Sequence, residues 1–331
     1  MTTHLPSRRA RRDLRGPVTI WEVGPRDGLQ NEATVVAARV KADFVRRLLD
    51  AGLRTVEVSS FVKPSWVPQL ADAEDVFSAL GPLVRTPPDG VRLPALVPNE
   101  PGLRRALDCG VKDVCVFASA TESFARRNLN RSREEALHVF EPVVAEAKSA
   151  GLGVRAYVSM CFGDPWEGEV PEADVVSVCE RLVGMGCDQV SLGDTIGVAT
   201  TGHVDSLLSA LGEAGIGPEL LAVHFHDTYG QALANTLRAI ELGITTVDAS
   251  AGGIGGCPFA KSATGNLATE DLCWALEGAG VETGVDLDRL VETSVWMASV
   301  LGRPSPSKVV QALARARDAD GREERPGEVP A

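Results

Sequence analysis

Short apolar runs alternate with longer stretches of helical period along most of this chain. Runs rich in Val, Ile, Leu and Ala at residues 18–24, 54–59, 93–98, 113–118, 154–160, 189–192, 221–226 and 246–250 have strand length and are separated by turn-forming residues. Between them, apolar positions recur every three or four residues over 35–51, 68–80, 100–109, 133–150, 171–185, 201–214 and 231–242, the pattern of helices packed by one face. Gly52 and Gly110 stand where such helices would close. Strand alternating with helix implies right-handed crossovers and a parallel sheet, and eight such units are the number that closes a barrel. The expected fold is therefore α/β, a (β/α)8 TIM barrel, with a doubly wound open sheet as the alternative.

Two more helical stretches, 287–300 and 307–317, exceed what a barrel needs and fit an end cover or a contact with a partner chain. The expected organisation is a basic, disordered tail over 1–16, a barrel domain over 17–317 that includes these C-terminal helices, and a polar tail over 318–331.

A barrel gathers its reactive side chains at the C-terminal ends of its strands. The seventh run ends at His224 and His226, which a strand projects to one face at roughly 7 Å spacing. Two imidazoles on one rigid element make half of a metal site; a lone His-x-His fits a half-buried strand with hydrogen-bonded histidines equally well. Other strand ends carry Arg26 and Asp27 after the first, Glu57 in the second and Asp194 after the sixth. A glycine-rich stretch from Gly252 to Cys257 and then Asn266 follow the eighth. Singly, these read as a surface ion pair, a solvated strand residue or a helix cap; together on one rim they read as a site.

Composition narrows the class. Of 331 residues 44% are hydrophobic and 24% charged, and no apolar run reaches the ~20 residues of a bilayer span, so no membrane role is indicated. A formal charge of −12 argues against a general nucleic-acid binder. Seven cysteines without a Cys-x-x-Cys pair point to reduced thiols and a cytoplasmic protein. The five arginines of the first fifteen residues fit a basic tail better than an organellar presequence.

The segments Gly24-Pro25-Arg26-Asp27-Gly28-Leu29-Gln30-Asn31-Glu32, Ser191-Leu192-Gly193-Asp194-Thr195-Ile196-Gly197, His224-Phe225-His226-Asp227-Thr228-Tyr229-Gly230-Gln231-Ala232 and Gly255-Gly256-Cys257-Pro258-Phe259-Ala260 resemble the signatures of the 3-hydroxy-3-methylglutaryl-CoA lyases. The similarity runs from about Val18 to Ala314. It implies a divalent-metal enzyme that splits 3-hydroxy-3-methylglutaryl-CoA into acetyl-CoA and acetoacetate, and by the family's habit a homodimer. The metal ligands it implies are Asp27, His224, His226 and Asn266, a mixed oxygen and imidazole set that suits Mg²⁺ or Mn²⁺ first and Zn²⁺ or Co²⁺ second. Arg26 would stabilise the enolate, Cys257 would return a proton to carbon, and Glu57 and Asp194 would orient Arg26, the metal shell or the substrate. His224 and Asp27 both remain candidates to relay the hydroxyl proton, and Arg26 and Gln30 would contact substrate. Lys63, Arg126, Arg127 and Lys308 are the basic residues considered for the CoA moiety.

Phe259 and Lys261 depart from some relatives, which leaves room for a bulkier 3-hydroxy-3-alkylglutaryl-CoA. A Claisen-type synthase such as isopropylmalate synthase would share the Arg-Asp and His-x-His elements, but would carry a Glu-Arg pair where this chain has Gly256-Cys257-Pro258. A silent metal- or CoA-binding regulator on the same barrel is the reading of another class.

Overall fold

A computed structural model describes residues 6–14, 16–256 and 265–323. Its strands are β1 (Thr19–Glu22), β2 (Thr55–Val56), β3 (Ser59–Ser60), β4 (Ala95–Leu96), β5 (Asp113–Ser119), β6 (Gly153–Ser159), β7 (Gln189–Asp194), β8 (Leu221–Phe225) and β9 (Thr246–Ala249). All pair in parallel in one sheet ordered β2-β1-β9-β8-β7-β6-β5-β4-β3. The two ends of that order are halves of a single extended run, broken at Glu57 and Val58. Glu57 donates its backbone N–H to Glu22 on one side at 2.8 Å, and Val58 donates to Pro94 on the other at 2.9 Å. The sheet thus closes as a barrel of eight staves, one of them kinked, as the alternation along the chain predicts.

Alternation within each stave sorts the side chains. Val114, Val116, Val154, Ala156, Val158, Val190, Leu192, Val223, Phe225 and Val247 face outward into one large apolar core shared with the surrounding helices. The inward set is different: Trp21, Cys115 and Tyr157 form a small cluster of their own, with Glu57, Arg155, Ser191, His224 and Asp248 buried beside it. Phe225 packs outward on Phe162, with ring centroids 5.7 Å apart, so His224 and His226 share the inner face.

Most expected helices are present, with shifted starts: the first begins at Ala38, and the stretch expected over 68–80 resolves into a turn at Pro68–Leu70 and a helix at Ala73–Leu80. Three helices among the described residues have no counterpart in the sequence expectation, the shortest of them the four-residue Pro82–Arg85. In Glu122–Leu129 only Phe124, Ala125 and Leu129 are buried, too few to show a period. Thr269–Gly278 buries Thr269 and Glu270 among its inner positions, and those polar residues interrupt the apolar pattern.

Both expected tails are corrected in part. In the basic segment Arg9 and Arg11 donate backbone N–H groups to Gly278 and Ala279, Arg8 and Arg11 pair with Glu277 and Glu241, and Leu14 is buried, so residues 8–14 lie on the barrel rather than free. At the other end the last helix runs from Lys308 to Glu323, past the expected limit at 317, because its Ala- and Arg-rich sequence keeps favouring helix. The preceding helix, Leu287–Leu301, buries Leu290, Met297 and Leu301 against the barrel.

Candidate active site

β1 runs directly into a one-turn π-helix, Gly24–Gly28, that brings Arg26 and Asp27 back over the barrel mouth. The Arg26 guanidinium is buried and forked between two carboxylates: Nε donates to Glu57 Oε1 at 2.5 Å and Nη1 to Asp27 Oδ1 at 2.6 Å. Glu57, fully buried at the kink of the broken stave, also accepts from Trp21 Nε1 at 2.9 Å, from the Tyr157 hydroxyl and from Cys115. Four donors converge on this one carboxylate, and their bonds fix it and with it Arg26.

Asp27 Oδ2 accepts from Asn266 Nδ2 at 2.9 Å and lies 3.9 Å from His224 Nε2. The two imidazoles point Nε2 at Nε2 across 3.2 Å. One ligand atom from each of Asp27, His224 and His226 falls within 4.8 Å of the others, a group able to hold a metal ion. The donor set fits such an ion: Asn266 Oδ1 and His226 Nδ1 are buried without a hydrogen-bond partner, and unpaired buried polar atoms are costly in a site that holds nothing. Burial opposes the Asp27 charge, but the Arg26 guanidinium and the two imidazoles outweigh it and bring its pKa down to about 2. Burial, reinforced by His224, lowers His226 to about 4, so its ring stays neutral and able to ligate.

These groups open onto a cavity of about 500 Å³, lined on its polar side by Arg26, Asp27, Gln30, His224 and His226 and on its apolar side by Val62, Val67, Leu96 and Phe117. Gly255 adopts φ +109° beside it, where a Cβ would sit 2.7 Å from Asn266 Nδ2, so only glycine lets this loop pass the asparagine. Asn31 Nδ2 ties the same loop down through the Gly256 carbonyl at 2.6 Å. Cys257, Phe259 and Lys261 lie outside the described residues.

Of the residues picked from sequence, Arg26, Asp27, Glu57, His224, His226 and Asn266 come together, and Gln30 lines the cavity with them. Asp194 does not line it. Its carboxylate accepts the backbone N–H groups of Val198 and Ala199 at 2.9 and 3.0 Å, and burial raises its pKa to about 6. It ends β7 and holds the turn that follows, while the cap of the next helix is Thr200, so the helix-cap reading does not describe its place either. Of the four basic residues considered for CoA, none lines the cavity: Arg126 pairs with Glu122 and Arg127 lies over Trp166. Arg131 and Asn128, at the end of Glu122–Leu129, line it instead.

Sequence reasoning passed over Tyr157, Arg155 and Asp248. Each sits mid-strand in an otherwise apolar run, and that is the signal: a charged or hydrogen-bonding group inside a stave buried on both faces must have a partner.

Fold and cluster together define a class, the (β/α)8-barrel enzymes that seat an acid–imidazole centre at the C-terminal ends of their strands. The particular family follows from comparison: residues 17–296 match the HMGL-like family model, and the chain belongs to that family. It is 50% identical over 303 residues to the mitochondrial hydroxymethylglutaryl-CoA lyase of Arabidopsis thaliana, covering 92% of this chain and 64% of that protein. It is 46% identical to the Macaca fascicularis enzyme, covering 90% of each. Among solved structures, hydroxymethylglutaryl-CoA lyase from Pseudomonas aeruginosa superposes with a TM-score of 0.87 at 44% identity, over 92% of this chain and 99% of that one. An HMG-CoA lyase from Acinetobacter baumannii, solved with coenzyme A and 3-methylmalate, gives 0.84 at 33% identity, over 96% and 98%.

Proposed function

We propose that this protein is a carbon–carbon lyase that cleaves 3-hydroxy-3-methylglutaryl-CoA to acetyl-CoA and acetoacetate. The observation that carries the reading is the junction of two charge systems at one cavity. The Arg26–Glu57 pair abuts the Asp27–His224–His226 group, and Asp27 belongs to both. Relatives at 46–50% identity bear the name of this activity, and a structural neighbour was solved with coenzyme A, in keeping with an acyl-CoA substrate.

Asp27, His224, His226 and Asn266 are the residues that would hold a divalent ion, with Mg²⁺ or Mn²⁺ matching their oxygen and imidazole mixture. Such an ion, when bound, acidifies and orients the tertiary hydroxyl. The chain's own groups do the rest. Asp27 or His224 takes the hydroxyl proton, the C2–C3 bond breaks as C3 becomes the ketone carbon of acetoacetate, and the electron pair passes to the thioester as an enolate. Arg26, already fixed by Glu57, presents its remaining N–H groups to the enolate oxygen without reorganising. Cys257 in the glycine-rich loop supplies the proton that converts the enolate carbon to the methyl of acetyl-CoA. Gln30 contacts the acyl group from the wall, and Arg131 stands at the cavity as a cation for the CoA phosphates. The protein acts as a homodimer in the cytoplasm, without nucleic-acid or membrane partners.

Product analysis with purified protein, Mg²⁺ and 3-hydroxy-3-methylglutaryl-CoA tests this. Acetyl-CoA and acetoacetate should form in equal amounts, and kcat/KM should fall for analogues with longer 3-alkyl groups. A higher kcat/KM for a longer group would reassign the substrate, and condensation of acetyl-CoA with a 2-oxo acid in place of cleavage would reject the lyase reading.

A further inference from the structure

Beneath the candidate ligands lies a layer of buried polar groups that the proposed mechanism does not use. Asp248, on β9, is fully enclosed and receives three hydrogen bonds from two side chains: Arg155 Nη2 on Oδ1 at 2.6 Å and Nη1 on Oδ2 at 3.2 Å, and the Ser191 hydroxyl on Oδ2 at 3.0 Å. Arg155 is itself locked. Its guanidinium lies over the Trp21 ring at 4.2 Å and the Tyr157 ring at 4.9 Å, and its Nε donates to Gln189. The remaining neighbour of Asp248 is His224, whose Nδ1 lies 3.1 Å from Oδ2. Backbone pairing fixes the same relation, since His224 and Asp248 are register partners across β8 and β9.

A carboxylate already saturated by a guanidinium and a hydroxyl is an acceptor only, so the imidazole beside it must present N–H at Nδ1. That leaves the lone pair on Nε2, the nitrogen that faces Asp27 and His226. His226 has no such support, because its Nδ1 is without a partner. The two histidines are therefore unequal: one is preset by the barrel floor, and the other is free to adjust.

We propose that Asp248, clamped by Arg155, is a positioning residue that holds His224 in the Nδ1–H tautomer and so presets the metal centre. The proposal rests on the metal centre described above, not on the acyl substrate. Asp248→Asn is the informative change, because an amide offers N–H as readily as C=O and no longer dictates the tautomer. Mn²⁺ titration of metal-stripped protein should show affinity falling by roughly 10- to 100-fold, the usual range for loss of such an outer partner. The loss should persist in a His226→Gln background and vanish in a His224→Gln background. An equal loss in both backgrounds would mean that Asp248 merely stabilises the barrel, and would overturn the proposal.

Ring-nitrogen NMR of histidine-labelled wild-type protein reads the tautomer directly, with or without metal. A proton on His224 Nε2 in place of Nδ1 would also overturn the proposal. Should Asp248→Asn fail to fold with Arg155 left unpaired, Ser191→Ala removes one bond to the same oxygen. It should weaken Mn²⁺ binding by about 2- to 5-fold, again only where His224 is present. If wild-type protein binds no divalent ion, the metal centre itself is wrong, and the NMR measurement still decides the tautomer.

Discussion

Arg26 carries three constraints in one side chain: burial, a short ion pair to Glu57 and a second to Asp27. Its planar fork satisfies both carboxylates and keeps N–H groups for a developing oxyanion, which a lysine cannot do at the same position. Arg26→Lys should therefore lower kcat by about 100-fold or more while changing KM little, as steady-state kinetics will show. A change confined to KM would move Arg26 from the reacting atoms to ground-state binding. At this scale the sequence is most informative where chemistry sits at a strand end: Asp27, His224 and His226 stand out because they are ionisable side chains placed where an apolar run stops. Asp248 and Arg155 are hidden inside apolar runs, and only their side-chain bonds across the barrel interior, from β6 to β9, show that they form one unit.

The turn after β9 depends on two buried acids. Glu22 accepts the backbone N–H groups of Gly24 and Ala251 and the Thr269 hydroxyl, while Glu270 accepts from Gly252 and the Ser294 hydroxyl. Burial pushes their pKa values up to about 7 and about 8, against an ordinary 4.5. The folded protein therefore keeps protons that the unfolded chain releases, and stability is lost as pH rises through the folded values. Through these two acids thermal melting should drop by several degrees as pH rises from about 4.5 to about 8 and fall no further above that. Glu270→Gln, which cannot ionise, should flatten that slope, and a wild-type Tm that rises over the same window would contradict the assignment. The same acids explain why an element went unread. Thr269–Gly278 buries a glutamate where the helical pattern calls for an apolar residue, and that position is occupied by a polar support for the glycine-rich turn. The kink at Glu57 and Val58 was invisible for a related reason: an uninterrupted run of strand-forming residues does not report that two neighbours pull its halves in different directions.

On the scale of the whole molecule, barrel closure is what makes a site from distant parts of the chain. The Asn266 side chain reaches Asp27 across 239 positions, and Trp21 in β1 packs against Arg155 in β6. The strand and helix periods foretell that closure, and the count of eight units was enough to predict it. The N-terminal basic segment was misjudged because charge alone suggests a free tail, whereas Leu14 anchors it and its backbone bonds to Gly278 and Ala279. A chain shortened to begin at Asp13 should lose on the order of 1–2 kcal/mol of stability with kcat unchanged, most of it from those two backbone bonds, since the exposed ion pairs add little. Denaturant titration beside a turnover assay would separate that outcome from a role in catalysis.

The most direct test of the account is turnover against metal content. Protein stripped of divalent ions and titrated with Mn²⁺ should gain cleavage of 3-hydroxy-3-methylglutaryl-CoA in proportion to ion bound, saturating at one per chain, and His224→Ala with His226→Ala should abolish binding and turnover together. Full turnover in the stripped protein, or none in the fully loaded one, would contradict it.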